Sequence, residues 1–170
     1  LEAREILIAI LKSMGEIWPD GSWVDSIAIG DAAYHEAVKR SDITNRIVPF
    51  HKLSQWMSYS LIEPLQLAGI KIIHLDALTG LAEYRNGGLF IDTGTISLRD
   101  ETEMETLHDP KSPLIVEWRA LTVTLLDQLA EQIRRHTNTN AESMPLVSIL
   151  QGGTWSCLLY TSPSPRDVSR

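Results

Sequence analysis

The sequence predicts a mainly α fold with a small β element (α+β), a helical domain around a long central helix. Three observations carry this. Apolar residues recur at helical spacing in three separate runs, the longest being Leu114–His136. Two short isoleucine- or leucine-rich runs, too short for helices and bounded by glycine or aspartate, read as buried strands. At 170 residues and 44% hydrophobic content, the chain has material for one core.

Taken in order, Leu1–Met14 places Ala3, Ile6, Leu7, Ile10, Leu11 and Met14 on one face, and Gly15 follows as a stop. Pro19, Gly21 and Gly30 punctuate the next stretch, before a short helix expected over Asp31–Arg40. His51–Ala68 reads as a helix with Leu53, Trp56, Met57, Ser60, Leu61 and Leu65 on one side, kinked or interrupted by Pro64. Strands are expected over Ile70–Leu75 and over Leu89–Leu98, the second broken at Gly94. Between them a polar stretch ends in Gly87-Gly88, the kind of link on which sites are placed. Arg99–Pro113 is charged, holds two prolines and reads as a surface loop.

The long helix has Pro113 before it and Arg134, Arg135 and His136 in its last turn, where cations suit the dipole. One stripe is Trp118, Leu121, Leu125 and Leu129; a second is Val123, Leu126, Ala130 and Ile133. Arg119 extends the second, lying within about 40° of its mean direction, so its guanidinium is expected to point inward and to need an acid.

Several function classes lose support. The net charge of −7 repels phosphate backbones, so no long nucleic acid is expected as a partner. No apolar run approaches the ~18 residues of a membrane span, and no leader precedes Leu1, so no membrane partner and a cytoplasmic location are expected. His35, His51, His74, His108 and His136 show no ligand spacing, and Cys157 is the single cysteine, so neither a metal nor a cofactor is expected. Gly87-Gly88 and Gly152-Gly153 lack phosphate-loop context, and Ser54, Ser58 and Ser60 lack a nucleophile elbow.

What remains is the segment from Glu83 to Gly88, which sets a carboxylate, a phenol, a guanidinium and an amide beside glycines. It reads either as a solvated turn or as a site. Asp92 follows an apolar run, and Arg119 needs a buried acid, so an internal acid–arginine cluster is expected here, structural or catalytic. Trp56 is readable as core or as a stacking surface, and His51 with Lys52 as surface residues or as contacts to an anion or water.

The words GEIWP (15–19), VPFHKLSQW (48–56), YSLIEP (59–64), LTGLAEYRNGG (78–88), VEWRALT (116–122) and GGTW (152–155) together resemble the uracil catabolism protein 4 family, over essentially residues 1–156. That resemblance implies a place in a pyrimidine degradation route that opens the uracil ring at the level of a ribosyl derivative and releases urea. It also implies a fragment of a larger protein, because the family has a further N-terminal part and continues beyond GGTW. Glu83-Tyr84-Arg85 and Glu117-Trp118-Arg119-Ala120 are similar to words of the queuosine salvage family, mainly helical N-glycosidases whose first-word acid is catalytic.

The resemblance thus implies Glu83 as a catalytic acid, and the place of Asp92 in its apolar run adds that residue as a second catalytic candidate. Arg85 and Arg119 would bind a ribosyl or pyrimidine-derived small molecule, with Tyr84, Tyr59, Trp56 and His51 as further contacts. The alternative is a non-enzymatic binding or scaffolding component of the same pathway. Residues 157–170, CLLYTSPSPRDVSR, break in composition and resemble a translated sequencing adapter. They are expected to be a non-native, disordered tail, leaving 1–156 as one partial domain.

Overall fold

A computed structural model describes residues 1–18 and 21–155. The elements in order are α1 (Ala3–Met14), β1 (Ser22–Val24), β2 (Ile27–Gly30), β3 (Ala32–Tyr34), β4 (Ile47–Pro49), α2 (Lys52–Leu67), α3 (Tyr84–Asp92), α4 (Pro113–Thr137) and α5 (Leu146–Leu150). The strands form two separate antiparallel pairs, β1–β2 and β3–β4. The mainly helical reading with a small β element therefore holds, but the β element lies elsewhere than expected.

Helix α1 starts where Glu2 N–H donates to the Glu5 carboxylate at 3.2 Å, and it buries Ala3, Ile6 and Ile10. These pack with Tyr59 and Ile62 of α2 and with Ile72, Leu78 and Leu81. A second cluster joins Phe90, Leu126, Ala130, Leu146 and Leu150. A third, Ala33, Phe50, Ala82 and Val116, joins β3 and α4 to the segments that lead into α2 and α3.

Four expectations are corrected. Ile70–Leu75 is not a buried strand. Its backbone makes one parallel bridge, Ile73 with Glu2, and Ile70 and Ile73 are 40% and 39% exposed, so Ile72 is buried in the core and only Leu75 packs beside it. Leu89–Leu98 is not a strand either, because Leu89–Asp92 completes α3 and Gly94 follows at φ 69°.

Both glycines fall inside that helix, Gly87 for a packing reason. A Cβ on Gly87 would lie 2.6 Å from Trp118 Cε2, so only glycine lets α3 close on α4. Close packing outweighs a helix propensity about 1 kcal/mol worse than alanine.

Asp31–Arg40 is not a helix. Ala32 and Ala33 are buried in β3, whose backbone pairs with Pro49 and Val48. The β1–β2 hairpin turns on Asp25 and Ser26 at φ 45° and 65°, the two positive φ values of a turn matched to strand twist.

Helix α2 runs through Pro64 to Leu67 and presents a different face inward from the one expected. Ser54, Gln55, Ser58, Tyr59 and Ile62 are buried, while Leu53, Trp56 and Leu61 are 42%, 51% and 39% exposed. The inward face of α2 meets the segment around Thr79 through polar side chains. There Gln55 Oε1 accepts from the Thr79 N–H at 3.3 Å, and the Tyr59 hydroxyl donates to Thr79 O at 2.9 Å. Helix α4 buries Val116, Thr122, Leu126 and Ala130, so the second stripe faces the core and Leu121 is 47% exposed. Among the described residues, no helix is long and apolar enough to cross a membrane.

Candidate functional site

Three helices begin at one cleft of about 260 Å³. Lys52 opens α2, Glu83 is the residue before α3, and the first turns of α4 contribute Ile115, Trp118 and Arg119. Glu83 has extended backbone, and its carbonyl accepts the Gly87 N–H at 2.9 Å. Its carboxylate is not used to cap the helix. Instead Oε2 faces Lys52 Nζ at 3.5 Å, with the two side chains 18% and 30% exposed. Pro110, Ile115 and the Trp118 ring supply an apolar wall beside this pair.

Arg119 does point inward, and its acid is Asp31 rather than Glu83 or Asp92. Arg119 Nη1 and Nη2 donate to the two Asp31 carboxylate oxygens at 2.9 and 2.7 Å, a bidentate fork. The guanidinium lies 4.0 Å from the Phe50 ring centroid, and its Nε–H reaches Ala82 O at 3.4 Å. Asp31 also accepts the Lys52 backbone N–H at 3.0 Å, satisfying a free donor of α2's first turn. Burial pulls the Asp31 carboxyl upward, but the Arg119 hydrogen bonds and charge, with the Lys52 amide and His51, outweigh it and hold it below the usual carboxylate range.

The structure brings Glu83, Tyr84 and Arg119 to the cleft. It does not bring Asp92, which is exposed at the far end of α3, about 13 Å along the axis from Glu83. Arg85 stands with its guanidinium 5.5 Å from the Tyr84 ring centroid, outside the cleft wall. Tyr59 is buried, and its phenol is pushed far up by burial and then by Asp127. Trp56 is half exposed, so it is not a core residue, and it does not line this cleft.

His51 has left-handed backbone, φ 49°, and lines a different, larger cleft of about 720 Å³ between α1 and β2. Its Nδ1 is buried and meets no protein partner. Burial pulls its pKa down, with Asp31 partly opposing.

Sequence reasoning missed Asp31 and the Trp118 wall, and it named Lys52 only as a surface residue or a contact to an anion or water. Asp31 carried a usable signal, since it interrupts the apolar run Ile27–Ala33 as Asp92 interrupts its own. Among the described residues, no three His, Cys, Asp or Glu side chains gather as metal ligands.

Comparison with known proteins follows the same segments. A family model described as a protein of unknown function (DUF1688) matches residues 1–158. Protein urg3 of Schizosaccharomyces pombe is 40% identical over 141 residues, covering 82% of this chain and 34% of that protein. Uracil catabolism protein 4 of Lachancea kluyveri is 32% identical over 177 residues, covering 91% of this chain and 40% of that protein. The chain thus spans 34% to 40% of the length of these curated relatives. No solved structure matches. With nearly its whole length matched by the family model, the chain belongs to the DUF1688 family, the family of the uracil catabolism proteins.

Proposed function

We propose that the chain acts in uracil catabolism and hydrolyses the N-glycosidic bond of a ribosyl-linked urea or a related breakdown product. The pathway half of this reading is supported by the name of the Lachancea relative. The chemical half rests on one observation: a carboxylate, Glu83, left uncapped at the start of α3 inside a partly apolar cleft.

Breaking a ribosyl C–N bond develops positive charge on the sugar. A carboxylate held against that charge stabilises it and takes a proton from the attacking water. Exposure of 18% leaves Glu83 reachable by a small ligand while shielding it from much of the solvent.

The test is Glu83→Gln. Because the partner of Arg119 is Asp31, this change strands no guanidinium and leaves the fold intact. Urea release from ribosylurea is expected to fall by about 10² or more. A folded and fully active variant removes Glu83 from the mechanism.

A second reading, a component that holds an intermediate or a partner enzyme without reacting, is favoured by the exposed stripe of Leu53, Trp56 and Leu61 along α2. Wild-type protein that binds ribosylurea and releases no urea over hours selects it.

A further inference from the structure

We propose that the Lys52–Glu83 pair recognises an uncharged ureido group, and that Lys52 is the acid that protonates the departing urea. This rests on the hydrolase reading above and names the part of the substrate the cleft grips.

The charges of the cleft are matched two by two. Arg119 is committed to Asp31 through both terminal nitrogens, and that fork is therefore not available to a phosphate or carboxylate. Lys52 faces Glu83, so a phosphate placed against the ammonium would also stand against a carboxylate 3.5 Å from it. A ligand that satisfies both groups offers N–H donors to the carboxylate and, beside them, a carbonyl oxygen to the ammonium. A urea or amide does this without net charge. Its flat faces suit the wall of Trp118, Ile115 and Pro110. At about 260 Å³ the cleft falls below the ~300–1,000 Å³ of sites for drug-sized ligands, which fits a compact substrate.

The same placement completes the chemistry. Water forms the new C–O bond at the sugar carbon and gives a proton to Glu83, while the C–N bond breaks and its electron pair leaves with the ureido group. Lys52 gives that group a proton. Glu83 then returns its own proton to Lys52 across the 3.5 Å gap, restoring the pair. The products are ribose and urea, and no other reactant is consumed.

Three variants of the chain separate these roles, with binding read by calorimetry and urea by mass spectrometry. Ribosylurea binding is expected to weaken about tenfold or more in Lys52→Met and in Glu83→Gln, the loss of one charge-assisted hydrogen bond each. Lys52→Arg should bind within a few-fold of wild type yet release urea about 10² slower, because a guanidinium keeps its proton. Ribose 5-phosphate should bind no better than ribose. Melting curves identify any variant that fails to fold, and the partly exposed Lys52 makes such failure at that position the exception.

Absence of ribosylurea binding to the wild type, or unchanged binding in Lys52→Met, overturns the recognition. A fully active Lys52→Arg protein overturns the acid role while leaving the hydrolase reading in place. Lys52-dependent binding without any urea release leaves recognition standing and removes the hydrolase reading together with the proton transfer.

Discussion

Asp31→Asn is the perturbation that most directly tests the architecture under the cleft. The change removes the charge that holds Arg119 and half the acceptor set, with almost no change in volume. Breaking one side of a fully buried ion pair costs about 3–5 kcal/mol. Here the side chains retain 20% and 31% exposure, so solvent recovers part of that and about 2–3 kcal/mol remains. Weakening the bond to the Lys52 N–H adds up to ~1 kcal/mol, as for loss of a helix cap.

The total is about 3 kcal/mol. For a domain of this size that is a fall of about 6–12 °C in melting temperature. Urea unfolding of wild type, Asp31→Asn, Arg119→Met and the double variant, followed by tryptophan fluorescence, completes the cycle. The coupling between the two positions should be about 2 kcal/mol, because Arg119→Met retains stacking on Phe50 while removing the stranded charge. A single variant within about 0.5 kcal/mol of wild type, or additive losses, would refute the claim that this fork ties β3 to α4.

Other outcomes follow from the same geometry. Gly87→Ala should destabilise by about 1–3 kcal/mol, because its Cβ meets the Trp118 ring at 2.6 Å, whereas Gly88→Ala faces open space and should stabilise by about 0.5–1 kcal/mol. Equal effects on thermal melting would contradict the α3–α4 packing. Stability should fall with acid in two stages. His51, its folded pKa below 6.5, stays neutral in the fold while the unfolded chain takes up a proton, so stability is lost as pH falls from about 6.5 towards the folded value. Asp31, depressed below 3.8, contributes stability above that pH and loses it as pH falls through its folded value. His51→Gln should flatten the upper stage alone in a pH series of urea midpoints. Removing residues 157–170, which lie outside the described residues, should leave the melting temperature unchanged, and a drop of many degrees would show them to be part of the fold.

The three longest helices were legible because a 3.6-residue repeat persists over many turns, and their ends carry Gly15, Pro113 and the basic cluster near His136. The strands were not. A three-residue strand such as Ala32–Tyr34 shows no alternation to count, and its alanines favour helix until tertiary pairing decides otherwise. The inward face of α2 was misread for a related reason. Periodicity finds an apolar stripe, but here the buried side carries Ser54, Gln55 and Ser58, with Gln55 and Tyr59 hydrogen-bonded to the chain at Thr79. In the cleft, Glu83 was legible from local chemistry, whereas Arg119's partner lies 88 residues away, and no local spacing encodes a pair at that separation.

The convergence of three helix starts has an electrostatic consequence for Glu83. Each first turn carries a partial positive charge from unpaired N–H groups, and α2 and α4 are long enough, at 16 and 25 residues, for that dipole to be developed. At α2, Asp31 neutralises much of it by accepting the Lys52 N–H. At α3, the Glu83 side chain makes no capping hydrogen bond, so the carboxylate stands in that field without being immobilised by it. A carboxylate used on a developing sugar cation needs that combination: it must hold its charge in a half-closed cleft and still be free to take a proton from water. Moving the acid one place along tests this. A Glu83→Ala, Tyr84→Glu double variant keeps the cleft's formal charge, but commits its acid to the first turn of α3. If urea release survived in that protein at the wild-type rate, the field at the helix starts would suffice by itself, and the extended, uncapped placement of Glu83 would carry no function.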